Sequence, residues 1–280
     1  MKDKNIAESG NEAISFDAWR RTIVQNLRHR HFTESPVKNA TLLAYFFWND
    51  NRIETDFYAV ECAFLCAYRN WGLLPSVLVV NRTTKAIRDF SDRYGVQLQI
   101  ETHSLTKGVP SMNIDCIRNL HRRFDTEYVV VIQSDGMPVN PGIERFIGKY
   151  DYVGAPWPGR KSWRNCYTYP KFSVGNGGFC IRSKRICEQA STAYNAFWRA
   201  FPYSLLVGDD IFYCKTMPFI SRKWRKFRYA DIPEALKFSI EHVSPDFEIA
   251  APPIGFHSEF GFRNYVKLFG LPMQDVLTMS

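Results

Sequence analysis

The sequence predicts an α/β fold on a mostly parallel central sheet, with helices on both faces and a mixed C-terminal half. Two observations carry this. Between residues 41 and 133, short β-branched and aliphatic runs alternate with helix-period segments four times, a rhythm that builds parallel strands joined by helical crossovers. The last of these runs, YVVVI at residues 128–132, is continuously apolar, the pattern of a strand covered on both faces.

Taken in order, residues 1–13 are polar, and residues 14–31 place Phe16, Trp19, Ile23, Val24 and Leu27 at helical spacing among Arg20, Arg21, Arg28 and Arg30. Such a basic amphipathic helix docks on its own domain or lies on an anionic membrane surface. Strands follow at 41–47, 76–81, 96–101 and 127–133, separated by helices at 54–71, 84–94 and 111–124. The second half loses this rhythm. It carries the turn-rich, aromatic GAPWPGRKSWRNCYTYP, then FSVGNGGFCIRS, a helix through 191–199, and a helix opening at Asp231 with Pro233 and Glu234 in its first turn. The expected organisation is an N-terminal tail and helix (1–40), one domain whose later half walls a cleft (41–262), and a C-terminal extension (263–280).

At 280 residues and 45% hydrophobic content the chain has ample core for such a domain. No apolar run approaches the roughly 18 residues of a membrane span, and the opening residues lack a signal-peptide core, so the expected location is cytoplasmic. Seven cysteines without a C-x-x-C pair fit buried thiols in a reducing compartment. A net charge of +8 calls for an anionic partner. Nucleic acid is disfavoured, because no readout motif accompanies the charge. The basic-aromatic run SRKWRKFRY, residues 221–229, is a solvated face or a contact for lipid head groups or an anionic glycan.

Four stretches bear chemistry. Gln133, Ser134, Asp135 and Gly136 end the 127–133 strand, where open α/β sheets bind ligands, although an Asp-Gly also makes an ordinary turn. Gly175, Asn176, Gly177 and Gly178 allow close approach to bare backbone, or form a hairpin loop. Asp209 and Asp210 follow Gly208 at a helix start, where one carboxylate suffices as a cap and the second is free to take a proton. His257, in a Gly- and aromatic-rich loop, is a structural imidazole, a metal ligand or a phosphate contact.

Together QSDG, YVGAPW, VGNGGFCIRS, GDDIFYCK, ALKFSIE and IGFHS occur in the order seen in a group of bacterial and fungal proteins of uncharacterised function, and the pattern resembles that of GT-A-type glycosyltransferases. The resemblance covers residues 41–262. It implies that a sugar passes from a nucleotide-sugar to a glycan or lipid-linked acceptor, with inversion, in surface polysaccharide assembly. It further implies a divalent manganese or magnesium ion held by Asp135 and His257. Gln133, Ser134, Asp135, Asn176, Gly177 and Gly178 would bind the donor, with Asp210 as base and Asp209 as its orienter. Apart from the resemblance, the rings of Trp157, Trp163, Tyr167 and Tyr169 are either surfaces on which the apolar faces of an acceptor sugar stack or ordinary packing, and Glu241 is placed with Trp157 and Trp163 on the acceptor side. The Asp-x-Asp of GT-A enzymes is Gln133-Ser134-Asp135 here, so the first acid is absent and the metal-binding one is kept. A catalytically silent module that binds a nucleotide or glycan is the alternative. Peripheral contact with an anionic membrane is a further expectation.

Overall fold

The computed structural model describes residues 14–47, 53–102, 109–157, 174–200, 208–244 and 247–278. Its strands are β1 (Ala40–Phe46), β2 (Ser76–Val80), β3 (Gln97–Ile100), β4 (Tyr128–Ile132), β5 (Gly136–Pro138), β6 (Tyr152–Gly154), β7 (Phe179–Ser183), β8 (Ser239–Ile240) and β9 (Gly255–His257). A six-stranded sheet runs β3-β2-β1-β4-β7-β6, and a small second sheet runs β5-β9-β8. The pairs among β1 to β4 are parallel, whereas β7 is antiparallel to both neighbours. Every residue of β1, β2, β4 and β7 is buried, so both faces of the sheet centre are covered. The edge strand β3, QLQI, alternates polar and apolar residues and stays half exposed.

The helices are α1 (Phe16–Leu27), α2 (Ile53–Trp71), α3 (Lys85–Tyr94), α4 (Val109–Arg118), α5 (Lys184–Ala200), α6 (Asp209–Ile211), α7 (Met217–Ile220), α8 (Ile232–Phe238), α9 (Ser258–Phe269) and α10 (Gln274–Leu277). Their starts follow local chemistry. Thr84 caps α3 by accepting from the Ile87 amide at 3.4 Å, and Asp231 caps α8 by accepting from the Glu234 amide at 3.0 Å. The helix expected over 191–199 is longer at its start, because α5 follows β7 directly. Ser183 Oγ accepts from the Ile186 amide at 3.3 Å, making the strand-to-helix turn without glycine or proline.

The apolar stripe of α1 lies inside the domain. Trp19 and Ile23 are fully buried, Phe16 stacks on Phe262 with centroids 5.1 Å apart, and the Trp19 indole donates to the Pro272 carbonyl at 3.1 Å. The helix packs against α2, α9 and α10, so its apolar face is committed to the core. In the 221–229 run, Trp224 is buried and donates to the Tyr213 carbonyl at 2.9 Å, while Arg222, Lys223 and Lys226 point outward. Among the described residues no helix is long and apolar enough to cross a membrane. Cys62, Cys66, Cys116, Cys180, Cys187 and Cys214 are free, buried thiols.

Trp19 gives a direct test of this packing. Trp19→Ala is expected to lower stability by about 3–5 kcal/mol, read from the urea midpoint at constant slope; a loss below about 1 kcal/mol would mean that α1 is not part of the cooperative core.

Candidate active site

The order of the main sheet reverses between β1 and β4: β2 and β3 lie beyond β1 on one side, β7 and β6 beyond β4 on the other. A crevice opens outside the C-terminal ends of two such strands. Two cavities occupy it. The larger, about 370 Å³, is lined by Asp17 and Arg20 of α1, by Tyr45, Phe46 and Phe47 at the end of β1, by Asp56 and Tyr58 of α2, and by Met112, Gln133 and Ser134. The smaller, about 210 Å³, shares Met112 and Gln133 and adds Trp157, Asn176, Gly177, Gly178, Asp209, Asp210, Glu241 and His257. The two therefore adjoin at Gln133, the residue that ends β4.

Asp135 and His257 meet because β5 and β9 pair in one register. Gly136 stands opposite His257, and the Ser258 amide donates to the Asp135 carbonyl at 2.8 Å. The His257 ring lies between two carboxylates, with Nε2 3.2 Å from Asp135 Oδ1 and Nδ1 3.3 Å from Glu241 Oε1. Burial alone disfavours the imidazolium, but the charges and hydrogen bonds of Asp135 and Glu241 outweigh it and push the His257 pKa up to about 10. Burial likewise opposes ionisation of Asp135. The charge and hydrogen bond of His257, with smaller help from its own backbone amide and from Arg20, still hold its carboxyl below the usual range.

These residues fit a divalent cation. Adjacent ligands on an octahedral ion at about 2.1 Å stand about 3 Å apart, and Asp135 Oδ1 and His257 Nε2 have that spacing. A cation there would displace the Nε2 proton of the imidazolium, and Glu241 on Nδ1 then supplies the carboxylate that orients a ligating imidazole and fixes its tautomer. Among the described residues no third His, Cys, Asp or Glu completes a protein-only metal cluster, so any remaining ligands would come from substrate oxygens and water.

The glycine loop is tied to this group by Asn176. It sits at φ 73°, in the left-handed region that Asn tolerates better than most residues. Its Oδ1 accepts from the amides of Gly178 at 2.9 Å and Phe179 at 3.2 Å, and its Nδ2 donates to Glu241 Oε2 at 3.1 Å. A Cβ on Gly178 would overlap the His257 ring, and one on Gly177 would overlap the Asp209 carboxylate. The absence of side chains there is a packing requirement of the site.

The two acidic residues differ sharply. Asp209, at 4% exposure, forms an ion pair with Arg182, which is fully buried in β7 beside the rings of Tyr213 and Tyr152. Asp210 lines the cavity, and its Oδ1 accepts from the Ile211 amide at 2.7 Å. Burial, then the negative charge of Asp209, raises its carboxyl from 3.8 to about 6. Neither caps the helix in the expected way, because Gly208 occupies the N-cap position. From α6 the helix continues through a π-helical turn, Phe212–Thr216, into α7, a feature frequent at functional sites.

The structure thus gathers Gln133, Asp135, Asn176, Gly177, Gly178, Asp209, Asp210, Glu241, His257 and Trp157 around one cleft, with Ser134 at its larger cavity. Trp157 carries the Lys215 ammonium 4.4 Å over its ring. Glu241, expected on the acceptor side, also holds His257 and Asn176. Trp163, Tyr167 and Tyr169 lie outside the described residues. Sequence reasoning passed over Arg20, read only as part of a basic helix face, and Arg182, whose signal was an arginine within the apolar strand FCIRS.

A family model described as a protein of unknown function, DUF5672, matches residues 101–257, more than half of the chain. The chain belongs to the DUF5672 family. No curated protein sequence matches it significantly. Core-mannan synthase A from Aspergillus fumigatus, solved in an Mn/GDP form, superposes with a TM-score of 0.52 at 10% identity over 87% of this chain and 91% of that one. The glycosyltransferase GlyE of Streptococcus pneumoniae gives 0.49 at 12% identity over 87% and 62%. The mannosyltransferase PcManGT of Pyrobaculum calidifontis, in complex with GDP-Man and Mn2+, gives 0.43 at 14% identity over 78% and 61%. The chain thus spans less than two thirds of the lengths of these last two proteins. This DUF5672 member has the mixed α/β fold of GT-A glycosyltransferases, with its mostly parallel central sheet.

The contrast between the two aspartates sets a stability test. Asp209→Asn leaves the Arg182 charge buried without its partner and is expected to cost about 3–5 kcal/mol. Asp210 has a folded pKa above its unfolded one, so its contribution to stability is complete below about pH 4 and is lost as pH rises through about 6. Asp210→Asn should flatten the stability profile over that window, as followed by urea unfolding at a series of pH values. Identical profiles for wild type and Asp210→Asn would contradict the assigned environment.

Proposed function

We propose that the chain is a glycosyltransferase that moves a sugar from a nucleotide-sugar donor to a hydroxyl of a glycan or glycoconjugate acceptor, with inversion and with a divalent metal. The observation that carries this reading is the adjoining pair of cavities. The larger, walled by Tyr45, Phe46 and Tyr58, suits a nucleoside, and the smaller is lined by Asp210 and by His257, whose ring contacts Asp135, around a space for a sugar.

In the reaction the bond between the anomeric carbon and the diphosphate oxygen breaks, and its electron pair leaves with the nucleoside diphosphate. A bond forms to the acceptor oxygen, whose proton passes to Asp210. A divalent ion held by Asp135 and His257 would neutralise the departing diphosphate charge. Asp210, raised to about 6, is ionised at neutral pH yet close enough to it to be an effective base. Asp209, engaged with Arg182, holds the start of that helix in place. Glu241 orients His257, and Asn176 keeps the bare backbone of Gly177 and Gly178 open for the donor sugar.

A thermal-shift screen of sugar nucleotides with and without Mn2+ tests the reading, because a ligand that binds only the native state raises Tm. A donor is expected to stabilise the wild type strongly only with the metal, and Asp135→Asn should lose that metal-dependent increment, measured against the variant's own ligand-free Tm. Equal stabilisation of both proteins by donor and metal would remove Asp135 from the site. On the donor and acceptor so identified, Asp210→Asn should lose about 10²–10⁴ in kcat with little change in donor affinity. The wild-type kcat/KM should rise with pH up to about 6 and then level off. Turnover of Asp210→Asn within a few-fold of wild type would sink the displacement mechanism.

A further inference from the structure

The family match begins at residue 101, so α1, which supplies part of the wall of the larger cavity, lies outside it. Arg20 is the α1 residue that reaches furthest toward the chemistry. Its Nη1 donates at 2.9 Å to the carbonyl of Ser134, the residue before Asp135. The guanidinium lies 4.3 Å over the Phe16 ring and 5.6 Å from the Tyr58 centroid. Stacking and hydrogen bonding together fix its plane at the mouth of the larger cavity, with the side chain 16% exposed.

Its charge is only partly met. Nη2 pairs with Asp17 Oδ1 at 3.2 Å, but Asp17 also takes Arg21 Nε at 2.9 Å and the Tyr58 hydroxyl. One carboxylate is therefore shared by two guanidiniums and a phenol. Arg20 Nε is buried without an acceptor among the described residues. A guanidinium has five N–H donors in a fixed fork, and two of them have partners here.

The position matters because the two cavities meet at Met112 and Gln133, and Ser134, which Arg20 holds, follows Gln133 on the larger cavity's wall. A nucleoside in the larger cavity and a sugar in the smaller one must be linked past these residues. We propose that Arg20 binds the diphosphate of the nucleotide donor and takes up charge as it leaves, so that α1 completes the donor site. This rests on the glycosyltransferase reading. A planar, permanently charged guanidinium suits phosphate oxygens, and its anchorage to Ser134 ties it to the turn that presents Asp135.

The test is a calorimetric ladder on the full chain with Mn2+, using uridine, UMP and UDP and the matching guanosine series. Wild type, Arg20→Gln, Arg20→Lys and the exposed neighbour Arg21→Gln are compared, with circular dichroism reporting folding. Arg20→Gln is expected to weaken the diphosphate of the preferred base by about 10- to 100-fold, while nucleoside affinity stays within about threefold. Arg20→Lys, which keeps the charge, should recover part of the loss, and Arg21→Gln should match wild type. Unchanged diphosphate affinity in Arg20→Gln, or equal weakening of nucleoside and diphosphate, would overturn the assignment and leave Arg20 a structural support for the Ser134 turn. If Arg20→Gln does not fold, full diphosphate affinity in a folded Arg20→Lys, where the planar fork is lost, overturns it too. Failure of the wild type to bind either diphosphate would instead overturn the glycosyltransferase reading, and with it the role of Arg20.

Discussion

An arginine buried in the middle of a sheet demands a carboxylate, and much of the cleft follows from that demand. Arg182 lies in β7 with no exposed surface, flanked by the rings of Tyr152 and Tyr213, and Asp209 is its counter-charge. Removing two charges from water costs several kcal/mol each, and only close pairing with further hydrogen bonds makes such burial tolerable. The pair therefore fixes where residues 209–220 begin, which in turn sets where the next carboxylate, Asp210, emerges. Because Asp209 is spent on this contact and its charge also lifts the Asp210 carboxyl, the two neighbours divide structural and chemical work between them.

The same economy appears around the neighbouring glycine loop. Asn176 binds two amides of the glycine loop with one side-chain atom and Glu241 with another, while Glu241 holds His257 and His257 faces Asp135. Four residues from four separate parts of the sequence form one hydrogen-bonded chain. Each buried polar group in it has a partner, which gives such a network rigidity rather than a desolvation penalty.

The alternation of apolar runs and helical periods in the first half was readable because the runs at β1, β2 and β4 are buried on both faces and nearly free of polar residues, while the edge strand β3 shows the period-two alternation of a half-exposed strand. The ends of α3 and α8 were equally plain from Thr84 and Asp231. The start of α5 was not, because Ser183 makes the turn with a hydroxyl and no glycine or proline marks it. For the cleft, sequence blocks pointed to the residues but not to their partners. Asp209 and Asp210 look alike as adjacent letters, and only the long-range approach of Arg182 separates them. Arg20 was hidden for the same reason, since its relation to Ser134 spans more than a hundred residues and has no local pattern.

The small sheet has a consequence for how the chain can vary. Residues 241–254 connect β8 to β9, and the strand after them is only Gly255–His257, paired with Gly136–Pro138 in one register. Side chains alternate between faces along a strand, so sliding β9 by a single position would swap His257 for Phe256 or Ser258 beside Asp135. Connector length can drift in evolution or engineering by any amount that a surface loop absorbs, but phase cannot. The aromatic residue at 256, locked among Phe16, Trp19, Phe262 and Tyr265 on the inner side, acts as the index pin that returns the imidazole to the same place.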